Sequence, residues 1–161
     1  MPHVTVHALE PQLAGHESKL ILGHTDAVVS VYGEWARDLV VVQLAGFPVG
    51  RWAVGGVARD DVAPTVTFPM GERALTRPGG QQTAARLAAA VTDAVAVTLG
   101  ERHRAEIVVD MVAAPEDRTA VGGHLAARSI SRRSRRPCTR RPITCTRPSS
   151  AFTAQTSQHY N

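Results

Sequence analysis

The chain carries its own duplicate. Thr25-Asp26-Ala27-Val28 returns as Thr92-Asp93-Ala94-Val95, and Ala53-Val54-Gly55-Gly56 returns as Ala120-Val121-Gly122-Gly123, both at a spacing of 67 residues. The same spacing relates Gly33 to Gly100, Arg37 to Arg104, Val41-Val42 to Val108-Val109, Pro48 to Pro115 and Arg51 to Arg118. A register held over so many positions marks a repeated unit. A unit of about sixty residues buries too little surface to be comfortable alone, so the two copies are expected to share one core.

Each copy reads as β-α-β. Residues 2–9 alternate, with Val4 and Val6 on one face and Thr5 and His7 on the other, the period of a strand. Over residues 15–33, Leu20, Ile21, Ala27, Val28 and Val31 recur at helical spacing, with Gly23 inside the run and Gly33 as its stop. Residues 39–44 form an apolar, β-branched run of the kind a buried parallel strand shows; residues 47–50 then turn the chain before 51–57. The second copy repeats the order, with a strand at 65–68, an alanine-rich helix at 80–99 ending at Gly100, and a strand at 107–112. Strand, crossover helix and second strand pair parallel with a right-handed crossover. The predicted fold is α+β: a tandem β-α-β duplication forming a four-stranded, mainly parallel sheet with two helices on one face. Its domain spans residues 1–126, as copies 2–58 and 64–125 joined by a linker at 59–64. The other sheet face needs a cover, and an oligomer is the simplest one.

Charge divides the chain differently. The formal net charge is +4, yet residues 1–126 hold all fourteen acidic and ten of the eighteen basic side chains, a net of −4. The basic excess belongs to residues 127–161, with eight arginines between 128 and 147, no acid, and both cysteines, Cys138 and Cys145. Such a stretch cannot build a core and is expected to be a disordered basic tail. Nucleic acid is a partner only if that tail is genuine, because arginines release counterions from phosphates whatever the sequence. A GC-rich coding sequence read in a shifted frame yields the same mixture of Arg, Pro, Ser and Thr, and both readings stand. No apolar run reaches membrane-span length and no signal-peptide order opens the chain, so the expected location is cytoplasmic, with no membrane partner. His7, His16, His24, His103 and His124 have no ligand spacing, so neither metal nor cofactor is implied. The Gly-Gly pairs precede no helix and read as hairpin turns rather than phosphate loops.

The chemistry begins at the second residue. Excision of Met1 before a small residue leaves Pro2 as a secondary amine at the start of a strand. Amino-terminal amines titrate near neutral pH, and burial or nearby cations lower the value further, which suits a general acid or base. A Met-Pro start followed at once by strand, helix and a second strand ending in a Gly-Gly turn, all duplicated, resembles the tautomerase superfamily over residues 2 to about 126. The likeness is to its 4-oxalocrotonate tautomerase-like members and, in layout, to the fused cis-3-chloroacrylic acid dehalogenase-like ones, where Thr25-Asp26-Ala27 and Gly55-Gly56-Val57 match.

The resemblance implies a homotrimer, a small carboxylate-bearing substrate and an amino-terminal catalytic proline, Pro2. It implies that Arg73 and Arg77, in the loop opening the second copy's helix, bind the substrate carboxylate through guanidinium forks. It also implies that Trp52 lines the pocket and keeps it dry, and Asp110 is a candidate water-positioning carboxylate. Only the first copy can present a free proline amine, since Pro64 and Pro69 are amide-bonded. The chain departs from the family pattern at several places: Val41 and Val108 stand where small members carry a strand arginine, and Pro11-Gln12-Leu13 replaces a loop arginine. Val28 and Asp110 stand at a helix histidine and a strand tyrosine of the fused dehalogenases, and Ala120-Val121 near their late glutamate. Three functions remain open: a keto-enol tautomerase with Pro2 as general base, a hydratase or dehalogenase with protonated Pro2 as general acid, and an oligomeric scaffold that has lost the chemistry.

Overall fold

The computed structural model describes residues 2–125; the basic tail and its two cysteines lie outside the described residues. The alternation after Pro2 becomes strand β1 (His3–Leu9), with Val4, Val6 and Ala8 fully buried. A short helix α1 (Glu10–Leu13) follows, unforeseen from the sequence because four residues show no period. Helix α2 (Glu17–Tyr32) buries Leu20, His24, Ala27 and Val28 and stops at Gly33, whose φ of 93° admits no ordinary side chain. A 3-10 helix (Glu34–Leu39) leads into β2 (Val41–Phe47), and a hairpin of β3 (Ala53–Val54) and β4 (Val57–Ala58) turns at Gly55-Gly56.

Copy two repeats this with β5 (Thr65–Gly71), α3 (Glu72–Thr76), α4 (Gly80–Leu99), a 3-10 helix (Glu101–Glu106), β6 (Val108–Ala114), β7 (Ala120–Val121) and β8 (His124–Leu125). The long helices and all that follows keep the spacing of 67, but β1 and β5 correspond at 62, so the additional residues of copy two fall between α3 and α4. The duplication persists in side-chain bonds. Arg37 bonds Asp26 and Glu34, and Arg104 bonds Asp93 and Glu101, each tying a 3-10 helix to its long helix.

The sheet order is β2-β1-β5-β6. Both outer pairs are parallel, as a β-α-β crossover requires, and the central pair is antiparallel, with Thr5 opposite Thr67 and His7 opposite Thr65. Helices α2 and α4 pack side by side on one face, close enough that a Cβ on Gly23 would meet the Ala94 Cβ at 3.5 Å. Beneath them Val4, Val6, Val66, Phe68 and Met70 meet Val28, Leu87, Val91 and Val95 in one core. Each such side chain contributes about 1.5–3 kcal/mol of burial free energy. The opposite face carries Thr5, His7, Thr65, Thr67 and Asp110 beside Val41, Val108 and Val112, the last two about half exposed at 48% and 47%. Among the described residues no helix is long and apolar enough to cross a membrane.

The linker is pinned at both ends. Val62 and Pro64 are buried, the Val62 carbonyl accepts Gln12 Nε2–H at 2.8 Å, and Asp61 Oδ1 lies 3.0 Å from both Arg102 Nη2 and His103 Nε2.

Candidate active site

Pro2 is fastened where β1 begins. The Val41 N–H donates to the Pro2 carbonyl at 2.9 Å, which ties the backbone just before β1 to β2, and the Pro2 ring is partly buried. The antiparallel pairing of β1 with β5 lays this start against the end of β5. There Pro2 faces a cavity of about 180 Å³ walled by Phe68, Pro69, Met70 and Gly71 of β5, by Ala74 of α3 and by Tyr32, the last residue of α2. At about 30 Å³ per water, the space holds roughly six waters, room for a small molecule only.

Neither arginine lines this cavity; each stands nearby in a different setting. Arg77 ends α3, and its positive charge acts on the Tyr32 phenol: burial pushes that phenol above the usual tyrosine range, and Arg77 pulls it the other way by less. Arg73 turns outward with its side chain 73% exposed, and its Nε lies 3.9 Å from the Glu116 carboxylate, which also accepts the Arg73 backbone N–H at 3.3 Å. These two residues share a neighbouring cavity of about 330 Å³ with Glu72, Thr76 and Asp117. Gly71 stands between the two cavities, and a Cβ there would come within 3.2 Å of Glu116 Oε1.

Trp52 and Asp110 lie elsewhere in the same chain. Trp52 packs edge-on to Phe47, ring centres 5.5 Å apart, in an open cavity of about 400 Å³ with His7, Arg51, Thr65 and Thr67. His7 is five residues along β1 from Pro2, roughly 16 Å at about 3.3 Å per residue. Asp110 pairs in register with Thr67, which faces Thr5, so it sits exposed two strands over from β1 on the open sheet face.

The structure adds two residues that the sequence reading passed over, Tyr32 and Glu116. Tyr32 stands one helical turn beyond Val28, which occupies the helix-histidine place of the resemblance, and i,i+4 residues share a helix face. Glu116 lies just after β6, several residues before Ala120-Val121, the place the resemblance gives to a late glutamate. The corresponding place in the second copy is an open cavity of about 430 Å³ lined by Gln12, Leu99 and Arg102 among others, and Pro64 does not line it. Pro64, the counterpart of Pro2 at the strand spacing of 62, is fully buried, and Leu99 stands where the first copy has Tyr32. No grouping of histidine, cysteine, aspartate and glutamate among the described residues fits a metal ion.

No family model matches the chain, and no curated protein does. Solved structures do. A fused 4-OT in an asymmetric trimer is 19% identical with a TM-score of 0.67, covering 79% of this chain and 98% of that one. A native fused 4-OT is 20% identical with a TM-score of 0.68, covering 80% and 98%. Pt0534 inactivated by 2-oxo-3-pentynoate is 23% identical with a TM-score of 0.62, again covering 80% and 98%. The chain therefore has the fold of these fused 4-OT structures.

Proposed function

We propose that this chain, folded as a fused 4-OT, is a cofactor-free isomerase that moves a proton within a small carboxylate-bearing enol or carbonyl compound, with Pro2 as general base. One observation carries the reading: Pro2, at the start of the sheet, lines a small cavity whose other walls are apolar apart from Tyr32, a phenol on which the Arg77 charge acts. A secondary amine in such surroundings is desolvated, which favours the neutral, proton-accepting form. Arg77, with Arg73 swinging in from its exposed position, holds the carboxylate. The neutral nitrogen takes a proton, the electron pair moves through the conjugated system, and the prolinium returns the proton at another carbon.

The assembly in this reading is a homotrimer that covers the open sheet face, and Trp52 and Asp110 serve at its contacts and at the dry edge of the site. The first test is turnover of 2-hydroxymuconate or phenylenolpyruvate by wild type and Pro2→Ala, followed in the ultraviolet, with intact mass to establish removal of Met1. Turnover that survives Pro2→Ala removes proline from the mechanism, and a retained Met1 favours a scaffold without chemistry. Stoichiometric modification by 2-oxo-3-pentynoate, abolished in Pro2→Ala, is the expected covalent signature.

Glu116 favours a second reading. A mostly buried carboxylate beside Gly71 can orient water toward the cavity, while protonated Pro2 donates to the carbon skeleton of an unsaturated acid. Incorporation of solvent oxygen into the product separates hydration from isomerisation.

A further inference from the structure

Moving a proton away from an enol or an activated carbon places negative charge on the substrate oxygen, and that charge needs a donor. The strand positions that could supply a guanidinium hold Val41 and Val108 instead. The cavity wall offers one hydroxyl. Tyr32 lines the cavity together with Pro2, is held there by the last turn of α2 and the Gly33 stop, and is half-buried. Its side chain makes no hydrogen bond among the described residues. The other wall residues, Phe68, Pro69, Met70, Gly71 and Ala74, have no polar side-chain group at all.

We propose that Tyr32 is a catalytic residue of this site, donating a hydrogen bond to the substrate oxygen as Pro2 moves the proton; this rests on the proline-dependent reading above. The phenol keeps its own proton throughout: the proline nitrogen takes one from the substrate, the electron pair settles on the oxygen facing Tyr32, and the prolinium returns the proton to carbon. Burial holds the phenol in its protonated form at neutral pH, and the nearby Arg77 charge strengthens it as a donor. Arg77 then has two tasks, anchoring the carboxylate and polarising the donor. The duplication supplies an internal contrast, since the second copy has lost both the free amine and the tyrosine, placing Leu99 at this position.

The test compares wild type, Tyr32→Phe and Pro2→Ala on 2-hydroxymuconate, reading kcat and KM separately across pH. Tyr32→Phe preserves the ring and its packing, and circular dichroism checks its fold. The expected loss is about 10²-fold in kcat with KM nearly unchanged, the mark of an interaction made in the transition state. The pH limb belonging to Pro2 should keep its midpoint, which a displaced proline would not. Tyr32→Phe with wild-type kcat, while Pro2→Ala is inactive, overturns the role of Tyr32 and leaves the proline reading standing. A Pro2→Ala that still turns over, or a wild type that never does, overturns both.

Discussion

His24→Val is expected to stabilise this protein. His24 is fully buried on α2; its Nδ1–H donates to the Leu20 carbonyl at 2.7 Å, and Nε2 has no partner among the described residues. A buried acceptor left unpaired costs about 1–3 kcal/mol. The second copy has solved the same packing problem with Val91, equally buried and 67 residues on. The Leu20 carbonyl still receives its helical backbone bond when the imidazole is gone. Histidine and valine have about the same helix propensity, so only a slightly smaller volume stands against the gain, and the net expectation at pH 7.5 is roughly 1 kcal/mol.

Acid enlarges the difference. Burial lowers the His24 pKa below its ordinary 6.5, against the opposing backbone bond to Leu20. The unfolded chain therefore binds more protons in this window, stability rises with pH, and it is lost as pH falls below the unfolded value. At pH 5 the extra loss reaches at most about 2 kcal/mol from this one group, by 1.36 kcal/mol per pH unit. Urea unfolding of both proteins at pH 7.5 and 5.0, at one fixed protein concentration, checks this. The two variants differ only at His24, so the comparison isolates it. A His24→Val variant less stable at pH 7.5, or one with the same pH dependence as wild type, refutes the reasoning.

Gly23→Ala should raise stability by about 0.5–1 kcal/mol in thermal or urea unfolding, because its Cβ meets Ala94 at an ordinary 3.5 Å and the helix gains a better former. Gly80→Ala should do the reverse, since a Cβ there would fall 2.4 Å from the Leu75 carbonyl oxygen and 2.6 Å from that of Ala74. If the proposed homotrimer covers the open sheet face, Val112→Lys there should yield monomer in sedimentation velocity where wild type sediments as trimer, while circular dichroism stays the same. Truncation after Leu125 should abolish any salt-sensitive mobility shift with nucleic acid; a shift that survives truncation assigns it to the folded part.

Local pattern alone reached a long way into this protein. Alternation after Pro2, helical spacing toward Gly33 and Gly100, and Gly-Gly at two hairpins depend on residues within a turn or a strand of one another, and the repeat doubled each signal. The sheet of two β-α-β units with its helices on one face followed from those periods and from crossover handedness. What the sequence could not decide was which distant residues meet. The antiparallel seam between β1 and β5 brings Pro2 to Gly71 and sends Trp52 to the far end of the strand, and that register is set by packing the two copies together. Tyr32 and Glu116 become neighbours of the proline cavity through the same seam, the one from the end of α2 and the other from beyond β6. Periodicity tells a residue which face it occupies; only the joined tertiary core, minimising exposed apolar surface across both copies, tells it what lies opposite.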